Sequence, residues 1–333
     1  MRDSTFDVMK GSKYQGRNLS IDLIKIVAMI GVISLHCNMD RLDNPVAFIL
    51  SRIAGISIPL FFMVSGYLLI IKKGGFLYSM KKIGGILKFV LICSLLYWII
   101  HVIHHQQLDF KLIGIYGGSF IQKGPLPMFW YLGAMCILYA LLPILQWMDD
   151  HTKHFFPLLL AGLICMDFIV FILTYTYKWE YDVIQTFRLW NWLTFFSIGA
   201  IIRKYNICYR INISLVLIFM LMFVGFVYWN RNNIDTLPHF FTTPICIVYA
   251  TFVFLYISAK KIVQSRTISL LSPLFLSVYT IHLFIIKGYH YFIDGYWGGI
   301  LTPLVDFVLI TAITLILCYG IMKISFLEKL FKI

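Results

Sequence analysis

Charge is what this sequence has least of. Asp, Glu, Lys and Arg together make up 13% of its 333 residues, about half the share in a soluble globular chain. That shortage excludes a conventional soluble fold, whose surface needs charge. Cysteine builds no framework: the seven are scattered, most of them inside apolar runs, without the paired spacing of a metal site or a disulfide scaffold. They read as small buried residues. No short apolar region followed by a small-residue cleavage site appears, so no removable signal peptide is expected and the first helix serves as its own insertion signal. Acidic residues are scarcer than basic ones, 15 against 28, for a net charge of +13. An excess of that size raises nucleic acid as a partner, and the placement of the charges argues against it.

What the chain has instead is apolar length. It is 60% hydrophobic and 17% aromatic, and its runs recur from residue 21 to residue 322. A crossing needs about 20 apolar residues. Ten such stretches are expected, at 21–39, 55–71, 86–104, 126–147, 155–177, 187–203, 212–229, 239–258, 270–290 and 301–322. Pro59 and Pro143 predict kinks in the second and fourth. The segment 109–127 is too broken to cross and predicts a short interfacial helix or loop on the outer side. The fold class expected is all-α: a polytopic membrane protein of about ten helices around a central cavity. Its parts are a tail at 1–20, a transmembrane domain at 21–322 and a second tail at 323–333.

An even number of crossings puts both termini on one side. The connections then alternate in charge. One set carries Lys72, Lys73, Lys81 and Lys82, then Lys153, then Arg203, Lys204 and Arg210, then Lys260, Lys261 and Arg266. The two tails add further Lys and Arg. The opposite set, including "NMDRLDNP", "NRNNIDTLP" and "DGYWGG", is poor in basic residues. Lys and Arg collect in cytoplasmic loops and meet anionic lipid there. Both termini are therefore expected in the cytoplasm, with membrane lipid rather than nucleic acid as the partner of the basic residues.

The stretch "IDLIKIVAMIGVISLHC", 21–37, opens the first crossing with Asp22 and Lys25 and carries His36 near its far end. Eleven residues separate Lys25 from His36. On an α-helix that is three turns plus about 20°, so both leave one face, about 16 Å apart along the axis. Asp22 shares that face. Ionisable residues inside a membrane are costly and face a protein interior or a wet cavity, so a polar stripe along a cavity wall accounts for all three. Two plainer readings stay open: a helix-start ion pair at Asp22–Lys25, and an imidazole that only bonds a neighbouring helix. Elsewhere, Asp167, Arg188, Lys287 and Asp306 either line the same cavity or sit at span ends. The His104–His105 pair has no metal-ligand spacing.

The pattern Asp-x-x-Lys, ten residues, then His resembles the first-helix signature of the membrane-bound acyltransferase 3 family, which usually has Arg where this chain has Lys25. Further motifs follow in order. "PLFFMVSGYLL" (59–69) is similar to its second helix and "MKKIGGILKFVL" (80–91) to the basic start of its third. "FWYLGAMCILYALLPIL" (129–145), "FFSIGAIIRKY" (195–205) and "LSVYTIHLFI" (276–285) are similar to its tryptophan–tyrosine–leucine, aromatic–glycine and tyrosine-x-x-histidine helices. The resemblance implies a multi-pass enzyme of the bacterial inner membrane. Such an enzyme moves an acyl group, usually acetyl, from cytoplasmic acetyl-CoA to a surface glycan or its lipid-linked precursor. It is the type that O-acetylates enterobacterial common antigen or O-antigen. Acetyl-CoA is a co-substrate there, and no permanently bound cofactor or metal is expected.

Acyl transfer to an alcohol needs a base for the hydroxyl and cations for the donor's phosphates. His36 is the candidate base, since imidazole titrates near neutrality; a transient acyl-histidine is the alternative. Asp22, Lys25, Lys82 and Lys88 are the donor-binding candidates, although the lysines also fit the positive-inside pattern. Tyr279 and His282, three residues apart on one helix face, are candidates for acceptor binding or cavity lining, as are Trp130 and Tyr131. The last two also fit an interfacial aromatic belt. Ser65 lies in no Gly-x-Ser-x-Gly turn, so a serine-hydrolase triad fits poorly, and Ser65 and Gly66 read as close helix packing. A different class of function, a transporter or exporter of a glycan or lipid-linked intermediate, is the alternative; the histidine–lysine stripe favours the enzyme because it serves proton transfer and donor binding together.

Overall fold

The computed structural model describes residues 18–38, 41–72, 74–105, 111–177, 183–230, 241, 243–293 and 298–331. The expected first tail falls almost wholly outside them. Fourteen α-helices follow in chain order among the described residues, with no strand. They are α1 (Leu19–Asn38), α2 (Pro45–Ile53), α3 (Ser57–Leu69), α4 (Gly75–His105), α5 (Leu112–Phe120), α6 (Trp130–His151), α7 (Phe155–Tyr177), α8 (Leu189–Lys204), α9 (Ile213–Trp229), α10 (Pro244–Ser258), α11 (Arg266–Leu271), α12 (Phe275–Ile293), α13 (Thr302–Ile321) and α14 (Ser325–Leu330). Helices suit such a chain because lipid offers no partner for an exposed backbone N–H or C=O.

Among the described residues, seven helical segments are long and apolar enough to cross a membrane: α1, α2–α3 together, α4, α6 with its preceding 3-10 turn, α7, α11–α12 together, and α13. Helices also occupy the other three expected positions. These are α8, α9 and α10, of 16, 17 and 15 residues, shorter than a full crossing. The third expected span starts earlier than the apolar run indicates. α4 begins at Gly75 and runs for 31 residues, about 46 Å of helix, because "MKKIGGILK" continues the helix into polar sequence. The broken segment before α6 forms the nine-residue helix α5.

The kink expected at Pro59 falls earlier. The second span breaks at a 3-10 turn, Ala54–Ile56, and Pro59 lies in the first turn of α3. Proline fits there, since the first N–H groups of a helix have no carbonyl to reach. Pro143 lies inside α6, which continues through it.

Burial separates inner from outer helices. In the apolar windows of α1 and of α2–α3, 67% and 72% of residues are buried, against 22% for α4, α7 and α13. The most buried segments, α1 and α2–α3, thus form the centre, and α4, α7 and α13 lie around them.

The tightest inner pair is α3 against α8. A Cβ on Gly66 would lie 1.9 Å from the Phe196 carbonyl oxygen, and one on Gly199 would lie 1.9 Å from the Met63 carbonyl oxygen. Each glycine therefore admits the other helix's backbone, the small-residue packing that replaces hydrophobic driving force between helices in lipid. The Gly66→Ala substitution is expected to lower the unfolding midpoint of the purified protein in detergent, at a cost of about 1–3 kcal/mol from overpacking. The control is Gly162→Ala, since Gly162 has open space around it. Equal midpoints for the two variants in a thermal melt would contradict the backbone contact.

Candidate active site

The site is built on α1. Asn18 caps the helix, its side-chain oxygen accepting from the backbone N–H of Ser20 at 3.1 Å and of Ile21 at 3.3 Å, the role for which Asn is favoured at a helix start. The Ser20 hydroxyl donates to the Lys260 carbonyl, which ties this end to the chain after α10. Asp22 points inward and is buried. Its carboxylate accepts from Lys25 Nζ at 3.2 Å and from the Ser272 hydroxyl at 2.8 Å. The Asp22–Lys25 pair is therefore a helix-start ion pair that is also bound to the turn between α11 and α12. Asp22 holds Lys25, and the Lys25 side chain remains partly exposed.

Lys25, Met29, Val32 and His36 follow one another along the same face of α1, as the 3.6-residue repeat requires. Met29 and Val32, with Phe61 of α3 and Phe275, Val278, Tyr279 and His282 of α12, border a narrow gap that has no room for a water molecule. The central cavity expected from the sequence is, among these residues, a narrow slit with mostly apolar walls. The stripe is thus polar at its two ends and apolar between them.

At the far end of the slit two imidazoles face each other. The ring centroids of His36 and His282 are 5.2 Å apart, with the planes tilted by 44°. His36 is half-buried and His282 fully buried. His282 Nδ1 lies 3.0 Å from the Val278 carbonyl oxygen. A carbonyl only accepts, so Nδ1 carries the hydrogen and Nε2 carries the lone pair. That Nε2 is buried and has no hydrogen-bond partner among the described residues.

Aromatic side chains hold this end of α12. The Tyr279 ring lies 6.2 Å from His282 and 5.7 Å from Tyr131. The Tyr279 hydroxyl donates to the Met128 carbonyl, so the segment leading into α6 reaches the site. Tyr131 packs on Phe62, 5.1 Å away. Phe62 in turn stacks on Trp192 at 4.7 Å, and Trp130 meets the same indole at 5.2 Å. Trp130 and Tyr131 are 8% and 7% exposed, which puts them in the protein interior rather than in a lipid-facing belt. The structure therefore brings together His36, His282, Tyr279 and Tyr131, with Trp130 one ring further out.

The remaining predicted residues lie elsewhere. Lys82 Nζ lies 6.0 Å from the centre of the Tyr78 ring, and Lys72 Nζ approaches the same ring at 5.6 Å. The Gln146 amide nitrogen fixes the Lys72 loop by donating to the carbonyls of Leu69, Ile70 and Lys72 at 3.2, 3.3 and 2.9 Å. Lys88 is exposed. No hydrogen bond or ion pair joins Lys82 or Lys88 to the two histidines among the described residues.

Sequence reasoning singled out Asp306 but missed the partners that gather on it beyond the end of α1. Arg41 pairs with Asp306 of α13, and its guanidinium lies 3.3 Å from His290 Nδ1. The Tyr289 hydroxyl donates to Asp306 at 2.8 Å. The signal available was a charge at the edge of each apolar run, and such charges have many possible partners. Their pairing is a matter of which helices are neighbours.

This arrangement supplies proton-accepting nitrogens at a buried point and a cation about three helical turns away. Comparison with curated proteins found no match, and comparison with solved structures found none. The family model described as an acyltransferase domain matches residues 18–323. That stretch runs from the Asn18 cap to the last residues after α13 and contains every side chain of the site, so the chain belongs to the acyltransferase 3 family.

Proposed function

We propose that this protein is an O-acetyltransferase of the bacterial inner membrane. It moves an acetyl group from cytoplasmic acetyl-CoA to a hydroxyl of a cell-surface glycan or its lipid-linked precursor. The observation that carries the reading is the facing pair His36–His282 at the end of an apolar slit, with Lys25 at the other end of the same helix face.

In this reading His36 is the general base. It takes the proton of the acceptor hydroxyl as the oxygen attacks the thioester carbonyl. The tetrahedral intermediate collapses, the C–S bond breaks, and His36 gives the proton to the departing sulfur, which leaves as the thiol. Lys25, held by Asp22, attracts the anionic part of the donor, and the apolar walls along Met29 and Val32 part to admit its reactive arm. Lys72 and Lys82 add positive potential around Tyr78. Trp130, Tyr131, Tyr279 and His282 form the acceptor side. The chain crosses the membrane ten times with both ends in the cytoplasm, so that Lys25 and the loop lysines meet the cytoplasmic donor.

Three outcomes are expected. His36→Gln keeps polarity but cannot take the proton, and it should lower acetyl transfer by purified, monodisperse protein ~10²–10⁴-fold while acetyl-CoA binding persists. Transfer by this variant within a few-fold of wild type would return His36 to helix packing, and absence of acetyl-CoA turnover by the wild type would favour an exporter. Lys25→Ala is expected to weaken acetyl-CoA binding, whereas Lys25→Arg keeps it, because the role is charge attraction. Equal donor affinity in wild type and Lys25→Ala would leave Lys25 only its ion pair. A reporter fused after Ile333 should be active only in its cytoplasmic form; activity of a periplasmic reporter would overturn the ten-crossing arrangement.

A further inference from the structure

The two imidazoles are unlike each other in a way that assigns them different work. His282 has one nitrogen committed, through its 3.0 Å bond to Val278. The other is an acceptor with nothing to accept from among the described residues, in a fully buried position. A buried acceptor left without a donor is destabilising, so a histidine kept here in this tautomer calls for a donor. The ring facing it is His36, at a centroid distance close to that of two imidazoles joined edge to edge by one N–H···N bond. A bond between the rings requires the half-buried His36 ring to turn about its Cβ–Cγ bond so that an N–H meets His282 Nε2. Val278, Phe275 and Met29 wall the slit with apolar atoms and offer no competing side-chain donor.

We propose that His282 is the positioning residue of His36. Its Nε2 lone pair accepts the N–H of His36, which fixes His36 in the tautomer whose other nitrogen presents a lone pair to the acceptor hydroxyl. The chemistry rests on the acyl-transfer reading; the bond between the rings does not. During transfer the hydroxyl proton moves to the lone-pair nitrogen of His36, the C–O bond forms, the C–S bond breaks, and that same proton leaves with the sulfur. The N–H between the two rings stays in place and becomes stronger while His36 is positive, since charge-assisted hydrogen bonds are roughly twice as strong as neutral ones. His282 thus does with a neutral imidazole what a carboxylate does for the histidine of a catalytic triad, without placing an uncompensated negative charge in an apolar interior.

Several titratable groups around the pair are engaged with partners of their own. Tyr279, whose ring lies 6.2 Å from that of His282, gives its hydroxyl hydrogen to Met128. Tyr131 lies behind Tyr279. Cys37 and the Arg41–Asp306–Tyr289–His290 group lie past the end of the pair, and Asp22–Lys25 about three turns the other way.

The test is solid-state NMR of the full chain in lipid with 15N-labelled histidine, read together with kinetics. In the wild type, His282 is expected to show a protonated Nδ1 and an unprotonated Nε2, and the Nε2 resonance should move when His36 is replaced in His36→Leu. In acetyl transfer, His282→Leu should lower kcat about a hundredfold or more, as loss of base function does, with the KM for acetyl-CoA little changed. His282→Gln, whose amide supplies one acceptor and one donor, should recover most of that loss. A protonated Nε2, or an Nε2 resonance indifferent to His36→Leu, would overturn the proposal. So would equal kcat losses in His282→Leu and His282→Gln. A wild type that turns over no acetyl-CoA but shows the expected resonances would remove the transferase reading and leave the paired rings standing.

Discussion

The cross-helix polar bonds of α1 set the register on which the site depends. Ser20 bonds the chain after α10, Asp22 bonds Ser272, His36 faces His282, and Arg41, just past the helix, pairs with Asp306. These contacts are spread over the whole length of the helix. A slip of α1 by one residue rotates every side chain by about 100° and breaks all of them together. Polar groups removed from water must find partners within the protein, so the register that satisfies them is strongly preferred. The catalytic geometry proposed for His36 follows from this constraint, which acts along the whole helix and on both sides of the slit.

A second layer of packing keeps the partners in place. Gly66 and Gly199 let the backbones of α3 and α8 touch. That contact brings Phe62 onto Trp192, and Phe62 supports Tyr131, which supports Tyr279. His282 is one turn further along α12. The aromatic rings are rigid and broad, so a chain of them transmits the position of one helix to the next with little slack. The motifs "SGYLL" and "FFSIGA" serve the site through this chain of contacts, without either glycine touching the histidines.

Parts of the site were legible because helical periodicity alone puts residues on one face. The alignment of Asp22, Lys25 and His36 is of this kind, and so is the pairing of Tyr279 with His282. Other parts were not legible. Trp130 and Tyr131 fit a lipid-facing belt equally well by composition, and only the neighbours Phe62 and Trp192 make them interior. Lys88 looks like Lys82 in sequence, yet it is exposed, whereas Lys82 shares the Tyr78 ring with Lys72. The break in the second span was expected at a proline and occurs at Ala54–Ile56, because proline is compatible with a first turn.

By itself the sequence determined the membrane class, the helical content, the family and the single-face stripe on α1. All of these depend on composition, on motifs in order, or on spacing within one helix, which a linear chain displays directly. Tertiary structure alone decided that Met29 and Val32 face Phe61 and α12 across a narrow gap, that Met128 reaches Tyr279, and that Arg41 meets Asp306. It also decided that His36 and His282, 246 positions apart in the chain, lie with their rings 5.2 Å apart. The physical reason is common to these cases: each depends on which helix faces lie against one another, and that is settled by the joint packing of all the helices rather than by any one segment.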